Sequence, residues 1–113
     1  MSAGAGSPGE PPATSPDAPP AAAPVLSRSV VIGNLRGLHA RAAAKFVALA
    51  ERFGAAVEVW KDGQSVSARS IMGLMMLGAG QGTTIELRAE GWDAKEALDA
   101  LAALVEARFN EHE

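Results

Sequence analysis

The sequence predicts a two-layer α+β fold: a four-stranded antiparallel sheet with amphipathic helices over one face. Three observations point there. Apolar residues recur with period 2 in some stretches and at helical spacing in others, in the order β-α-β-β-α-β-α. Asp62-Gly63 is a strong hairpin signal, because both turn positions need positive φ. Helices with one apolar stripe each have to bury it, and a sheet of short strands offers a face on which to do so.

The 113 residues suffice for one domain. All seven prolines lie between Pro8 and Pro24, so the composition breaks there. Residues 1–25 are mostly Ala, Pro, Gly and Ser, with two acids, Glu10 and Asp17, and no base. Such a segment buries too little apolar surface to offset its ordering entropy, and a disordered N-terminal extension is expected. It lacks the basic start and apolar run of a secretory signal. The folded domain is expected over residues 26–113, where eleven acids face ten bases. That balance gives no electrostatic footprint for nucleic acid. No apolar run approaches the length of a membrane span. Zero cysteines exclude disulfides, thiol catalysis and cysteine-ligated metal. The two histidines, His39 and His112, are far apart in sequence, so neither a metal nor a cofactor is expected. A soluble, cytoplasmic monomer follows.

Ser27 to Ile32 reads as the first strand, with Val30 and Ile32 on one face and Val31 on the other. Gly33-Asn34 and Gly37 bracket a loop. From Ala40 to Phe53, Ala43, Phe46, Val47, Ala50 and Phe53 recur at helical spacing, and Gly54 is expected to end this helix in a left-handed position. Ala56 to Lys61 and Gln64 to Ala68 form the hairpin around Asp62-Gly63. Ser70 to Leu77 is a short helix with Ser70 as its N-cap. Thr83 to Ala89 is the fourth strand, with Ile85, Leu87 and Ala89 inward. Asp93 and Glu96 have capping-box spacing and open the last helix. That helix is expected to run to Arg108 or Phe109, burying Ala97, Leu98, Leu101, Leu104 and Val105.

The chemistry concentrates at Gly37-Leu38-His39-Ala40-Arg41, where a turn ends and a helix begins. A helix N-terminus presents unpaired N–H groups and a partial positive charge, a setting that suits an anion. Imidazole is a nucleophile near neutral pH. If His39 attacked a phosphoryl donor, the product would sit among free donors with Arg41 in reach. Taken alone, His39 also fits an ordinary cap.

Ser70-Ile71-Met72-Gly73-Leu74-Met75-Met76-Leu77 is a second concentration, too apolar for a short surface helix. Ile71, Leu74 and Leu77 fit one buried face. Met76 is expected to fill a gap in the core. Met72 and Met75 fit either the core or a surface that accepts partners, since methionine is flexible and polarisable. Ser70 fits a plain cap and is also compatible with regulatory phosphorylation, because the dipole tolerates a phosphate there.

Together these two motifs, at this separation in one βαββαβα chain, resemble the HPr family of phosphocarrier proteins of the bacterial phosphoenolpyruvate-dependent phosphotransferase system. The resemblance covers residues 27–109. It implies an HPr-like open-faced β-sandwich, with the four-stranded antiparallel sheet covered on one face by three helices. It implies that His39 accepts a phosphoryl group from Enzyme I at Nδ1 and passes it to an EIIA-type domain, that Arg41 stabilises the phosphate, and that Ser70 matches the serine modified by HPr kinase/phosphorylase. Ala40, Ala44, Ile71, Met72 and Met75 fall where the family docks partners. Such a protein is a carrier that turns over only with partner enzymes. Ala42 stands where the family usually has proline, at an early helical position that alanine also suits. Together with the methionine-rich run and the acidic end, it resembles the regulatory or nitrogen-related branch. An alternative within the family is a regulatory module that acts by docking. Outside it, a ferredoxin-like binding domain would leave Arg41 and the methionines unexplained.

Overall fold

The computed structural model describes residues 24–112. The expected disordered extension lies outside the described residues, apart from Pro24 and Val25, which belong to no element.

Four strands and three helices follow in the expected order: β1 (Leu26–Val31), α1 (Ala40–Ala50), β2 (Ala56–Lys61), β3 (Gln64–Ser67), α2 (Ile71–Met76), β4 (Thr84–Glu90) and α3 (Ala94–Glu106). The sheet is antiparallel throughout, in the order β1-β4-β2-β3. The period-2 reading holds: Val30, Val57, Val59, Ile85, Leu87 and Ala89 are buried under the helices, whereas Val31 is exposed. β2 and β3 join at Asp62-Gly63 with both φ values positive, 51° and 81°, the geometry of the tight hairpin that this pair favours. The helices bury Ala43, Phe46, Val47, Leu74, Leu98, Leu101 and Val105 against the sheet.

Five expectations need correction. Ile71, expected on the buried face of α2, is exposed. Helix α1 stops at Ala50, and its last turn tightens through Arg52 N–H to the Leu49 carbonyl (3.1 Å) and Phe53 N–H to the Ala50 carbonyl (3.2 Å). Gly54 is not among the positive-φ residues. A Cβ there would lie 2.8 Å from Nε1 of Trp92, whose exposed side chain would have to move aside.

Asp93 precedes α3 but makes no side-chain bond to it. Its buried carboxylate accepts from the N–H groups of Gly54 (2.9 Å) and Ala55 (2.8 Å), pinning the start of β2 to the start of α3. One buried donor, Ala55 N–H, and one part-buried donor, Gly54 N–H, satisfied by a single carboxylate outweigh one half-exposed cap bond.

Helix α3 ends at Glu106, before the expected Arg108 or Phe109, and Leu104 is only half-buried. A tight turn over Arg108–Asn110 follows, with φ near +55° at each of its three residues. The reversal buries Phe109 completely. An aromatic side chain carries enough apolar area to offset the cost of left-handed backbone there. Finally, Met76 is no gap filler: it is 78 % exposed, because Leu74 and Leu77 already occupy the buried side of α2.

Candidate functional site

The loop that delivers the first motif is fixed from both sides. Gly37 has φ +64°, and a Cβ on it would lie 2.4 Å from the Ala79 carbonyl oxygen. Leu38 N–H donates to that same oxygen (3.0 Å). The segment after α2 therefore buttresses the segment before α1. Beneath the loop, Asn34 is fully buried and its Nδ2 donates to the Gly37 carbonyl (2.9 Å).

His39 is the N-cap of α1, extended at φ −75° and ψ 178°. Its Nδ1 accepts from the Arg41 N–H at 3.3 Å. Its Nε2 meets the carboxylate of Glu111, and the two side chains are 15 % and 12 % exposed. The other Glu111 oxygen accepts from Asn34 Nδ2 (3.0 Å). Glu111's carboxyl is held below the ordinary carboxylate range. The hydrogen bond from His39 contributes most, and the hydrogen bond from Asn34 and the nearby Lys45 ammonium add to it, against an opposing push from burial. An ionised carboxylate can only accept. Nε2 therefore carries the ring proton, and the Nδ1 lone pair points at the helix N-terminus.

Lys45, one turn and a half along α1, donates to the Phe109 carbonyl (2.6 Å). This ties the turn after α3 to α1 and brings Glu111 to the imidazole. Around His39 lies a hollow of about 430 Å³, lined among others by Arg36, Arg41, Lys45 and His112. Three cationic side chains and a helix N-terminus, set against the one carboxylate of Glu111, give it the character of an anion site. His112, remote in sequence from His39, borders the same hollow. Among the described residues no group of three or more His, Asp or Glu is arranged to hold a metal ion.

Ser70 caps α2, and its Oγ accepts from the Gly73 N–H at 2.9 Å. The hydroxyl is only half-buried at this position. Ala40, Ala44, Ile71, Met72 and Met75 are all exposed, and α1 packs against α2. Of the residues singled out in the sequence, His39 and Arg41 share the hollow, while Ser70 and the methionines belong to the neighbouring helix.

Asn34, Lys45 and Glu111 carry no local signature of a site. Only the spacing Asn34 to His39 within one loop, and the acidic run after Phe109, could have hinted at two of them.

The family model described as "PTS HPr component phosphorylation site" matches residues 26–107. The phosphocarrier protein HPr of Cupriavidus necator is 49 % identical over 89 residues, which is 79 % of this chain and all of that one. The phosphocarrier protein NPr of Shewanella violacea is also 49 % identical, over 86 residues, 76 % of this chain and 94 % of that one. Among solved structures, an HPr from Thermoanaerobacter tengcongensis superposes with a TM-score of 0.74 at 45 % identity, covering 78 % of this chain and 99 % of that one. Matched along nearly the whole folded region by sequence and by backbone, the chain belongs to the HPr family of phosphocarrier proteins of the phosphotransferase system.

Proposed function

We propose that His39 is the phosphoryl acceptor, that Nδ1 is the nucleophilic atom, and that Enzyme I is the donor and an EIIA-type domain the recipient, in the cytoplasm. The observation that carries this reading is the orientation of the imidazole. Glu111 occupies the Nε2 side, which leaves the lone pair of Nδ1 facing the anion-binding end of α1. In the transfer, the Nδ1–P bond forms as the donor's bond to phosphorus breaks. The Nε2 proton stays where it is, on the hydrogen bond to Glu111. The N–H of Arg41, now 3.3 Å from Nδ1, turns to a phosphate oxygen, and the Arg41 guanidinium supplies charge and a fork of donors. Positioning and charge stabilisation are what such in-line transfer demands. The protein itself turns over only with its partners.

Ser70 supports a second, compatible reading. Its hydroxyl stands at the head of α2 beside the exposed methionines, so phosphate added by an HPr kinase/phosphorylase would place negative charge on a face that docks partners. The docking face in this reading comprises Ala40, Ala44, Ile71, Met72 and Met75. Ala42, buried at the third helical position of α1, leaves the helix start intact in place of the family's proline.

The test is phosphoryl transfer from phosphoenolpyruvate through Enzyme I, comparing wild type with His39→Ala. Acid-labile phosphate is expected on the wild type and none on the variant, with the fold retained. Label persisting on the variant would sink the assignment.

A further inference from the structure

The sulfur of this domain is gathered in one place. The chain contains four methionines and no cysteine. Three of the four, Met72, Met75 and Met76, stand on the six residues of α2. They are exposed to 67 %, 40 % and 78 % respectively. A core would have shielded thioethers from solvent oxidants; here the buried side of the helix is supplied by Leu74 and Leu77 instead.

Oxidation turns a flexible apolar side chain into a polar, chiral sulfoxide. A scattered surface methionine tolerates that change with little effect. At Met72 and Met75 the same change falls on the surface that the carrier reading uses for docking, with Met76 next to it on the same helix, beside the segment whose Ala79 carbonyl holds Leu38 and the loop before His39.

We propose that α2 is an oxidation-sensitive modification site. A peroxide-class oxidant converts Met76 and Met72 first, and Met75 after them, to methionine sulfoxide, and the modified face docks its phosphoryl partners more weakly. In each step the sulfur lone pair attacks one peroxide oxygen. The O–O bond breaks, the S–O bond forms, and hydrogen peroxide is reduced by two electrons to water. Methionine sulfoxide reductases with a dithiol donor reverse it: the dithiol is oxidised to a disulfide, and the sulfoxide oxygen leaves as water. The core is not involved, so the switch acts without unfolding the domain. The inference rests on the docking reading above.

The experiment uses the full chain and graded hydrogen peroxide, quenched with catalase. Peptide mass mapping locates the sulfoxides, and transfer through Enzyme I is measured on the same samples. Oxygen is expected on Met76 and Met72 before Met75, with transfer slowed about tenfold when α2 is fully oxidised. Reductase treatment is expected to restore it, with an unchanged far-ultraviolet spectrum throughout. A variant with all three α2 methionines changed to leucine is expected to show one rate before and after peroxide, whatever that rate is.

Mapped sulfoxides with unaltered transfer would overturn the inference. So would α2 methionines that resist peroxide at doses consuming free methionine, or a loss that survives in the leucine variant. Met72→Glu separates the two levels. If this variant transfers slowly but oxidised wild type does not, only the oxidation inference fails. If Met72→Glu itself transfers at the wild-type rate, the docking reading fails and takes the inference with it.

Discussion

At the scale of the residue, His39 is defined by what holds each of its nitrogens. That His39 opens a helix, with Arg41 behind it, is legible in ten consecutive residues. That Glu111 faces the ring is not, because the contact spans 72 residues and depends on a three-residue left-handed turn in which only Asn110 is a type that favours that conformation. Glu111 also makes the site pH-sensitive. Its carboxyl titrates below the ordinary range in the fold, so the unfolded chain takes up that proton at higher pH than the native one. The carboxylate therefore contributes stability above the ordinary carboxylate range and loses it as pH falls through the lowered value. Glu111→Gln is expected to cost about 1–2 kcal/mol near neutral pH. Urea midpoints of variant and wild type should converge in acid; a gap that ignores pH would contradict this account.

At the scale of the element, local pattern was a good guide to existence and a poorer one to ends. The hairpin, the N-cap at Ser70 and the alternation in β4 follow from short-range stereochemistry, and the structure contains them. Capping failed where a distant partner intervened, although Asp93 stands at the expected N-cap of α3. Asp93 has the spacing of a capping residue, yet its carboxylate is claimed by two backbone donors from the start of β2, and the sequence carries no sign of that long-range competition. Asp93→Ala leaves both donors without their acceptor, the Ala55 N–H in a buried position. A loss of about 2–3 kcal/mol is expected, read as a lower thermal midpoint with the phosphoryl transfer chemistry retained at low temperature. A loss under half that size would mean that water replaces the carboxylate.

At the scale of the whole molecule, the one-sided sandwich separates two surfaces. Helices α1 and α2 carry the imidazole and the methionines, while the uncovered side of the sheet carries polar pairs. That division was legible because periodicity assigns each residue to a face. What it left open was how far three methionines could stay outside a small core, a question of volume that Leu74 and Leu77 decide. Met72→Glu is accordingly expected to leave stability within about 0.5 kcal/mol while lowering the rate of transfer from Enzyme I. Thermal unfolding and transfer, measured on one preparation, check both halves; a collapsed midpoint would return Met72 to the core.

The uncovered side has a consequence for watching the protein in solution. The chain has two tryptophans. Trp60 lies on the sheet face away from the helices, stacked beneath the Arg88 guanidinium 4.0 Å from its ring centre, with its indole N–H on Glu58 (3.1 Å). Trp92 stands 88 % exposed at the corner between β4 and α3. Neither borders the hollow around His39. The emission of Trp60 is therefore placed to report on the integrity of the sheet, Trp92 adds an exposed signal from the β4–α3 corner, and a chromophore meant to register phosphate or a bound partner in the hollow is best installed on α1 or α2.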